Sequence, residues 1–166
     1  MKKVLFWGTL VVILTVANVL IAQKENTLAH GGTMLLRLAP VDPRSLMQGD
    51  YMVLRYTLAR DIPERVLDRK GRIVVKLDKN NVASFVRVHK NEALQPGEHL
   101  LFYRNRHGLR LGAESFLFQE GDANLYAMAK YGELKVDSSG AAILAGLRDE
   151  NFSPLEKPAR PGARPL

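Results

Sequence analysis

The feature that most restricts the fold of this chain is an uncharged apolar run at its N-terminus. The run covers residues 4–22 and comes directly after Lys2 and Lys3. About 20 such residues in an α-helix cross a hydrocarbon core of about 30 Å. The sequence therefore predicts an N-terminal transmembrane signal-anchor over residues 1–26, with residues 4–22 in contact with the membrane.

The alternative to an anchor is a cleaved leader. A signal peptide has a shorter apolar region and small residues at its cleavage site, whereas the best site here, Leu20-Ile21-Ala22, has a bulky residue where a small one is needed. An uncleaved anchor is therefore favoured. Lysines before the run are expected to stay cytoplasmic. No second apolar run of this length follows, so we expect a single-pass protein of the bacterial inner membrane with its C-terminal domain in the periplasm.

The composition narrows the classes of function. The chain of 166 residues contains no cysteine, which excludes disulfides, thiolate catalysis and cysteine–zinc sites. The formal net charge is +7, and without Lys2 and Lys3 the chain still carries 22 basic and 17 acidic residues. Such an excess occurs in proteins that bind nucleic acid or anionic lipid. We favour a solvated surface near a negatively charged bilayer, with no nucleic-acid partner.

Beyond the anchor, short apolar segments alternate with turn residues, which predicts a mainly β (α+β) fold. We expect one β-rich extracytoplasmic domain over residues 27–150, opened by the spacer "QKENTLAHGG", and a proline-rich basic tail over residues 151–166. Three hairpins are predicted, with turns at residues 78–81, 107–108 and 138–140. The second includes "LLFYR" and "SFLF", both expected to be core strands that could add a partner strand if one lies at a sheet edge.

One short helix is expected between the last two hairpins. Asp122 is a suitable N-cap residue and Gly132 a suitable end. Leu125, Met128 and Ala129 recur at helical spacing and are expected to line one face.

The most specific run is "MQGDYMVLRY", residues 47–56. It predicts a turn at Gly49 and a strand from Asp50 to Arg60. Side chains alternate between the two faces of a strand. The buried face is expected to carry Met52, Leu54, Tyr56 and Leu58. The opposite face is expected to carry Tyr51, Val53, Arg55 and Thr57, half-solvated or close to a ligand or partner.

The same run carries a family resemblance. The pattern G-D-Y-x-x-L-x-Y, the anchor, the approach "LAPVDPRSLMQGDY" and the later stretch "FLFQEGDANLYAMAKYGELKVDSSGAAILAGL" resemble the GDYXXLXY family of bacterial membrane-anchored proteins. The resemblance covers the chain apart from its tail. It implies an accessory protein found beside polytopic membrane proteins and supplies no catalytic residues. The motif and possible interaction residues are Gly49, Asp50, Tyr51, Leu54, Arg55 and Tyr56.

An alternative function is a periplasmic serine–lysine hydrolase that resembles the signal-peptidase-like fold, with Ser45 as nucleophile and Lys76 as base. Such a lysine must be desolvated to be neutral near pH 7. Two features oppose this interpretation. The usual Ser-Met followed by proline is absent, and Lys76 alternates with apolar Val75 and Leu77, on the face expected to be solvated.

Other polar residues do not form a recognisable site. The histidines, His30, His89, His99 and His107, lack metal-ligand spacing, although His89 and His99 could meet across a hairpin. Three carboxylates surround "SFLF": Glu114, Glu120 and Asp122. Capping and solvation suffice to explain them. We therefore predict no catalytic residue, cofactor or metal, and a polytopic membrane protein as partner. A small-ligand-binding β-domain is the remaining alternative and would need an internal cavity.

Overall fold

The computed structural model describes residues 2–39, 51–106, 108–119 and 121–156. Helix α1 extends over Lys2–His30 as one continuous helix. Two further short helices are α2, Thr57–Asp61, and α3, Ala123–Tyr126. The strands are β1 Gly32–Arg37, β2 Tyr51–Val53, β3 Lys70–Leu77, β4 Ala83–Val88, β5 Glu98–Asn105, β6 Leu109–Arg110, β7 Ser115–Leu117, β8 Tyr131–Val136 and β9 Ala142–Arg148. This order confirms a mainly β fold behind an N-terminal apolar helix.

The strands form three antiparallel sheets. One has the order β1-β8-β9, and a second has the order β4-β3-β5-β6. The third is a two-stranded ribbon of β2 and β7. The first two sheets meet where β1 lies beside the end of the β3–β4 turn. There the Leu35 amide donates to the Asn81 carbonyl at 2.8 Å.

The hydrophobic core lies between these sheets. It receives alternate residues from the strands, as the pleat requires: Met34 and Leu36 from β1, Ile73 and Val75 from β3, Leu101 and Tyr103 from β5, and Leu134 and Val136 from β8. Leu54, Tyr56 and Leu58 also belong to this core. The buried face predicted for the motif is therefore confirmed.

The C-terminal end of α1 is packed onto the domain. Thr27 is only 7% exposed, and the Gly31 amide donates to its carbonyl at 2.9 Å. A β-carbon at Gly31 would lie 2.4 Å from that carbonyl oxygen and 3.1 Å from the backbone nitrogen of Val136 in β8. Only glycine therefore allows the helix to end this close to the sheet. The predicted spacer is mostly helix, since α1 continues through it to His30.

Two of the predicted hairpins are confirmed by the structure. β3 and β4 pair across the turn at 78–81, where the Asp78 carboxylate accepts the amides of Asn80 and Val82 at 2.8 and 2.9 Å. β8 and β9 pair across the turn at 138–140. Both turns are closed by an aspartate that bonds backbone amides, which is a local signal visible in sequence.

The second predicted hairpin is confirmed only as far as the pairing of β5 with β6, which lie on either side of the predicted turn at 107–108. β5 is a core strand, but β6 contains only two residues, and "SFLF" pairs as β7 with β2 instead. Leu117 of β7 is 76% exposed, whereas Phe116 and Phe118 of the same segment pack against the core, so the segment is half-buried. Pairing with β2 is favoured over pairing with β5 because Met52 of β2 lies opposite Phe116, which places two apolar residues on the same face.

The predicted helix is shorter than expected. α3 ends at Tyr126, and Met128 is exposed. Gly132 does not end the helix but lies inside β8. Leu125 and Ala129 do pack against the core, as predicted. Four residues give too few hydrogen bonds for a stable isolated helix, so contacts with the domain hold this turn in place.

The chain beyond the predicted domain boundary folds back on β9. The Leu155 amide donates to the Leu147 carbonyl at 2.9 Å, and the Leu155 side chain is buried in the core. The Phe152 ring lies 4.9 Å from that of Tyr131. Residues 151–155, which the sequence assigned to the tail, therefore lie against the domain.

Candidate functional site

The GDYXXLXY run adopts two kinds of backbone structure. Gly49 and Asp50 lie outside the described residues, and Tyr51 is the first residue of β2. The strand predicted to reach Arg60 ends at Val53, and the chain enters α2 at Thr57. Leu58, which the prediction placed on the buried face of the strand, is buried in α2 instead, because one apolar residue in a short segment fits a helix turn as well as a strand.

The buried side of the motif organises a neighbouring loop, residues 111–114. The Leu54 amide donates to the Glu114 carbonyl at 2.8 Å, and the Tyr56 hydroxyl donates to the Ala113 carbonyl. Both motif side chains are 2% exposed. Burial, reinforced by the negative charge of Glu114, raises the pKa of Tyr56. The hydroxyl therefore stays protonated and remains a donor to the loop.

Tyr56 also fits against β8 because residue 132 is a glycine. A β-carbon on Gly132 would lie 3.0 Å from Cε1 of Tyr56 and 3.2 Å from its hydroxyl oxygen. The last tyrosine of the motif and the glycine of "KYGELKV" are therefore complementary parts of one contact. The motif is mainly architectural on this side.

The outward side of the motif is apolar where it meets β7. Tyr51 and Val53 are the Cα partners of Leu117 and Ser115. Val53 is 42% exposed and Leu117 is 76% exposed. We call the surface of Val53 and Leu117 the ribbon face. Arg55, another residue of the predicted interaction set, is exposed beyond the end of β2.

A cleft of about 660 Å³ lies between the end of α1, the β8–β9 turn and the sheet of β3, β5 and β6. Its basic residues are Lys24, Arg72, Arg104 and Arg110, and we call it the basic cleft. The same lining includes apolar side chains from Phe102 and Leu111. The cleft is a groove at the surface between elements and not the internal cavity that a ligand-binding β-domain was expected to need.

Strand register brings three arginines onto one face of the sheet. Arg72 is the Cα partner of Phe102, and Arg104 is the Cα partner of Arg110. Since Phe102 and Arg104 are two residues apart, all four side chains share a face. The Arg104 guanidinium lies 5.9 Å from the centre of the Phe102 ring. Arg72 Nε donates to the Ser139 carbonyl at 2.7 Å, which ties the sheet to the β8–β9 turn.

The basic cleft has an excess of positive charge, with four cations and the one carboxylate of Glu114 in its lining. Among the described residues, no ion pair involves any of its four cations. The carboxylate of the lining residue Glu114 accepts the amides of Leu111 and Gly112, the second at 3.0 Å. This carboxylate is therefore engaged with its own loop. Guanidinium groups without carboxylate partners, arranged around an open groove, suit an anionic ligand.

The motif and the basic cleft are connected through the loop 111–114. Leu111, Gly112 and Glu114 form one wall of the cleft, and Leu54 and Tyr56 hold this loop by the two hydrogen bonds given above. The sequence predicted the buried role of both motif residues but not the cleft beside them. The sequence could have shown that Arg104 and Arg110 lie close together, because they flank the predicted 107–108 turn. It could not have shown this for Lys24 and Arg72, which come from distant segments.

Lys76, the predicted base of the serine–lysine alternative, is exposed on β3. Glu98 is its Cα partner on β5, and Ser45 lies outside the described residues. A general-base lysine depends on burial to lose its charge, and Lys76 has no such burial.

His89 and His99, which could have met across a hairpin, do not form a pair. His99 is opposite Val75, whereas the His89 amide bonds the Arg72 carbonyl from the other side of β3. Within the part of the chain that the structure describes, no group of three metal-ligating side chains could hold an ion. Of the three carboxylates, Glu114 bonds its own loop, Asp122 precedes α3, and Glu120 is outside the described residues.

The comparisons with known proteins agree with the motif. The family model described as "GDYXXLXY protein" matches residues 13–147. This match includes most of α1 and nearly all of the β-rich part. No curated protein and no solved structure matches the chain. By the extent of this match, the chain belongs to the GDYXXLXY protein family.

Proposed function

We propose that this protein is a single-pass membrane protein whose β-domain lies in the periplasm and serves as an accessory module of a polytopic membrane protein. The observation that carries the proposal is the continuity of α1 with the domain. The apolar part of α1 is long enough to cross a bilayer and has none of its surface buried inside the protein. Its last turn is packed on β8.

This continuity sets the distance between domain and membrane. Residues 23–30 of α1 extend beyond the apolar run by about 12 Å, at 1.5 Å per residue. A flexible linker would let the domain move far from the bilayer. A short helical connection that ends at Gly31 instead keeps the domain beside the membrane surface, where it can reach the extracytoplasmic loops of a membrane-embedded partner.

The ribbon face is the proposed partner surface. Leu117 and Val53 are apolar, exposed and neighbours on a two-stranded ribbon, and the strand carrying Val53 is part of the GDYXXLXY run. Exposed apolar surface on a folded domain is typical of sites that bind other proteins. This surface does not include the buried side of the motif, whose side chains stabilise the domain.

The orientation can be tested directly because the chain has no cysteine. Single cysteines are introduced as Lys79→Cys, in the exposed β3–β4 turn, and as Lys3→Cys, before the apolar run. A membrane-impermeant maleimide is applied to cells with a permeabilised outer membrane. We expect labelling at position 79 and none at position 3 until the inner membrane is broken. The reverse pattern would refute the periplasmic orientation.

The partner role requires a matched pair of surface variants. Tagged full-length protein is purified from membranes in mild detergent, and co-purifying proteins are identified by mass spectrometry. We expect a polytopic membrane protein in near-stoichiometric amount, lost in Leu117→Asp and retained in Leu94→Asp. Leu94 is also exposed but lies in the loop between β4 and β5. Absence of any partner after crosslinking refutes the accessory role, and equal loss in both variants refutes the ribbon face.

A further inference from the structure

We infer that the basic cleft binds the phosphate of an anionic phospholipid headgroup from the membrane that holds α1. The inference rests on the proposed membrane anchoring and adds a ligand class and a site to it. It does not use the ribbon face, so the two surfaces can be tested independently.

The first argument is the position of the cleft along α1. Lys24 is the residue that α1 contributes to the lining, and it follows the apolar run by two residues, or about 3 Å of helix. The headgroup layers bring a bilayer from about 30 Å to about 40–45 Å in thickness, so each layer extends several ångströms beyond the hydrocarbon. Lys24 therefore lies at headgroup depth when the apolar run spans the membrane.

The second argument is electrostatic. Arg104 and Arg110 are direct cross-strand partners, and like charges placed opposite each other destabilise a strand pair. No carboxylate among the described residues pairs with either. A phosphate placed between them would convert this repulsion into two attractive contacts. The arginine fork is suited to this, because its parallel N–H groups match phosphate oxygens.

The third argument separates a lipid from a soluble anion. The cleft is not lined by charge alone, since Phe102, Leu111, Ala141 and Ala142 also contribute to its surface. A free phosphate would leave the half-buried Phe102, Ala141 and Ala142 in contact with water. A phospholipid brings a glycerol and the beginning of its acyl chains along with the phosphate, and these can cover the apolar part of the lining. The mixed lining therefore favours the headgroup over inorganic phosphate.

The test uses the full chain in nanodiscs of equal parts phosphatidylglycerol and phosphatidylcholine. The protein is then released into mild detergent, and its bound lipids are counted by native mass spectrometry. We expect phosphatidylglycerol to be retained over phosphatidylcholine by about fivefold or more, since each basic residue near the surface adds about fivefold to anionic-lipid affinity. The preference should persist when inorganic phosphate is added at matched ionic strength.

Two cleft variants and one control locate the effect. Arg104→Gln/Arg110→Gln should abolish the preference, and Lys24→Gln alone should weaken it. Both sets of side chains are exposed, so the fold should survive, which circular dichroism verifies. The control, Lys79→Gln/Lys90→Gln, removes the same net charge from exposed turns that do not line the cleft and should keep the preference.

Each other outcome overturns the inference in a distinct way. Equal retention of both lipids by the wild type refutes lipid binding and leaves an acidic segment of a protein partner as the occupant. Displacement by inorganic phosphate identifies a soluble anion as the ligand. Equal loss in the cleft and control variants reduces the effect to general surface charge. Failure to enter nanodiscs refutes the membrane anchoring itself, and with it this inference.

Discussion

The apolar half of α1 and the core of the β-domain contain the same kinds of side chain but differ in how much of each side chain is exposed. Ile13 of α1 is 59% exposed, whereas Leu54 in the core is 2% exposed. The domain buries its core apolar side chains against one another, as a protein folded in water does. Among the described residues, nothing covers the apolar side chains of the helix, and this part of the helix is long enough to cross a lipid bilayer. The exposed apolar helix and the buried core of the domain meet within one helical turn, between Thr27 and Gly31.

The largest effect is expected in the core. Leu54→Asp buries a carboxylate without a partner and should cost more than about 4 kcal/mol, a large fraction of the about 5–15 kcal/mol that stabilises a typical domain. Thermal unfolding followed by circular dichroism measures this loss. The matched control is the adjacent exposed residue, because Arg55→Ala should change stability by no more than about 0.5 kcal/mol. An unchanged melting curve for Leu54→Asp would refute the burial of the motif.

A charge in α1 should have the reverse consequences. Ile13→Asp is expected to cost about 3 kcal/mol of membrane insertion and to leave the melting transition of the β-domain unchanged, since Ile13 makes no core contact. Carbonate extraction of membranes measures the insertion, with Ile13→Val as control. If the domain melted at a lower temperature, α1 would have to pack on the domain along its length, and the contrast between the two regions would fail.

A smaller effect on stability is expected when the hydrogen bond between the motif and the 111–114 loop is removed. Tyr56→Phe keeps the ring against Gly132 but leaves the Ala113 carbonyl without its donor, which should cost about 1–2 kcal/mol. Tyr126→Phe is the control, since its ring contacts Phe116 and Phe118. Chemical denaturation gives both values. Equal losses would mean that the Tyr56 hydroxyl contributes nothing beyond the ring.

The smallest effect concerns the β8–β9 turn at low pH. Burial opposes ionisation of Asp137, but hydrogen bonds from the Ser139 side chain and from the amides of Ala141, Ser139 and Gly140 outweigh it and lower the pKa of this carboxyl. The folded state therefore binds fewer protons than the unfolded state, and its stability declines as the pH falls below the ordinary value of 3.8.

Asp137→Asn should remove this contribution. The variant should be slightly less stable near neutral pH and should lose less stability than the wild type between about pH 4 and pH 2. Denaturation curves across this range measure the slope. Asp61→Asn, at the exposed end of α2, is the control and should keep the wild-type slope. A wild-type slope in Asp137→Asn would show that other carboxylates govern the acid response.

Local patterns in the sequence predicted a substantial part of the fold. The N-terminal apolar helix followed from an uninterrupted apolar run, and two hairpins followed from alternating residues around aspartate-containing turns. The buried side of the motif was also predicted, because Met52, Leu54 and Tyr56 alternate with more polar neighbours. The family resemblance rested on the same residues. In each case the signal lies within one short segment, where the period of the side chains determines which face is buried.

Long-range pairing decided the rest. Whether "SFLF" pairs with β5 or with β2, and whether the chain after Val53 stays extended or turns into α2, depends on which surface is available in the folded domain. Tyr56 on Gly132 and α1 ending at Gly31 are contacts between segments far apart in the chain, and a glycine in sequence does not reveal what will approach it. The basic cleft is the strongest example, since four cations from three separate segments become one site only when the sheet register and the end of α1 bring them together.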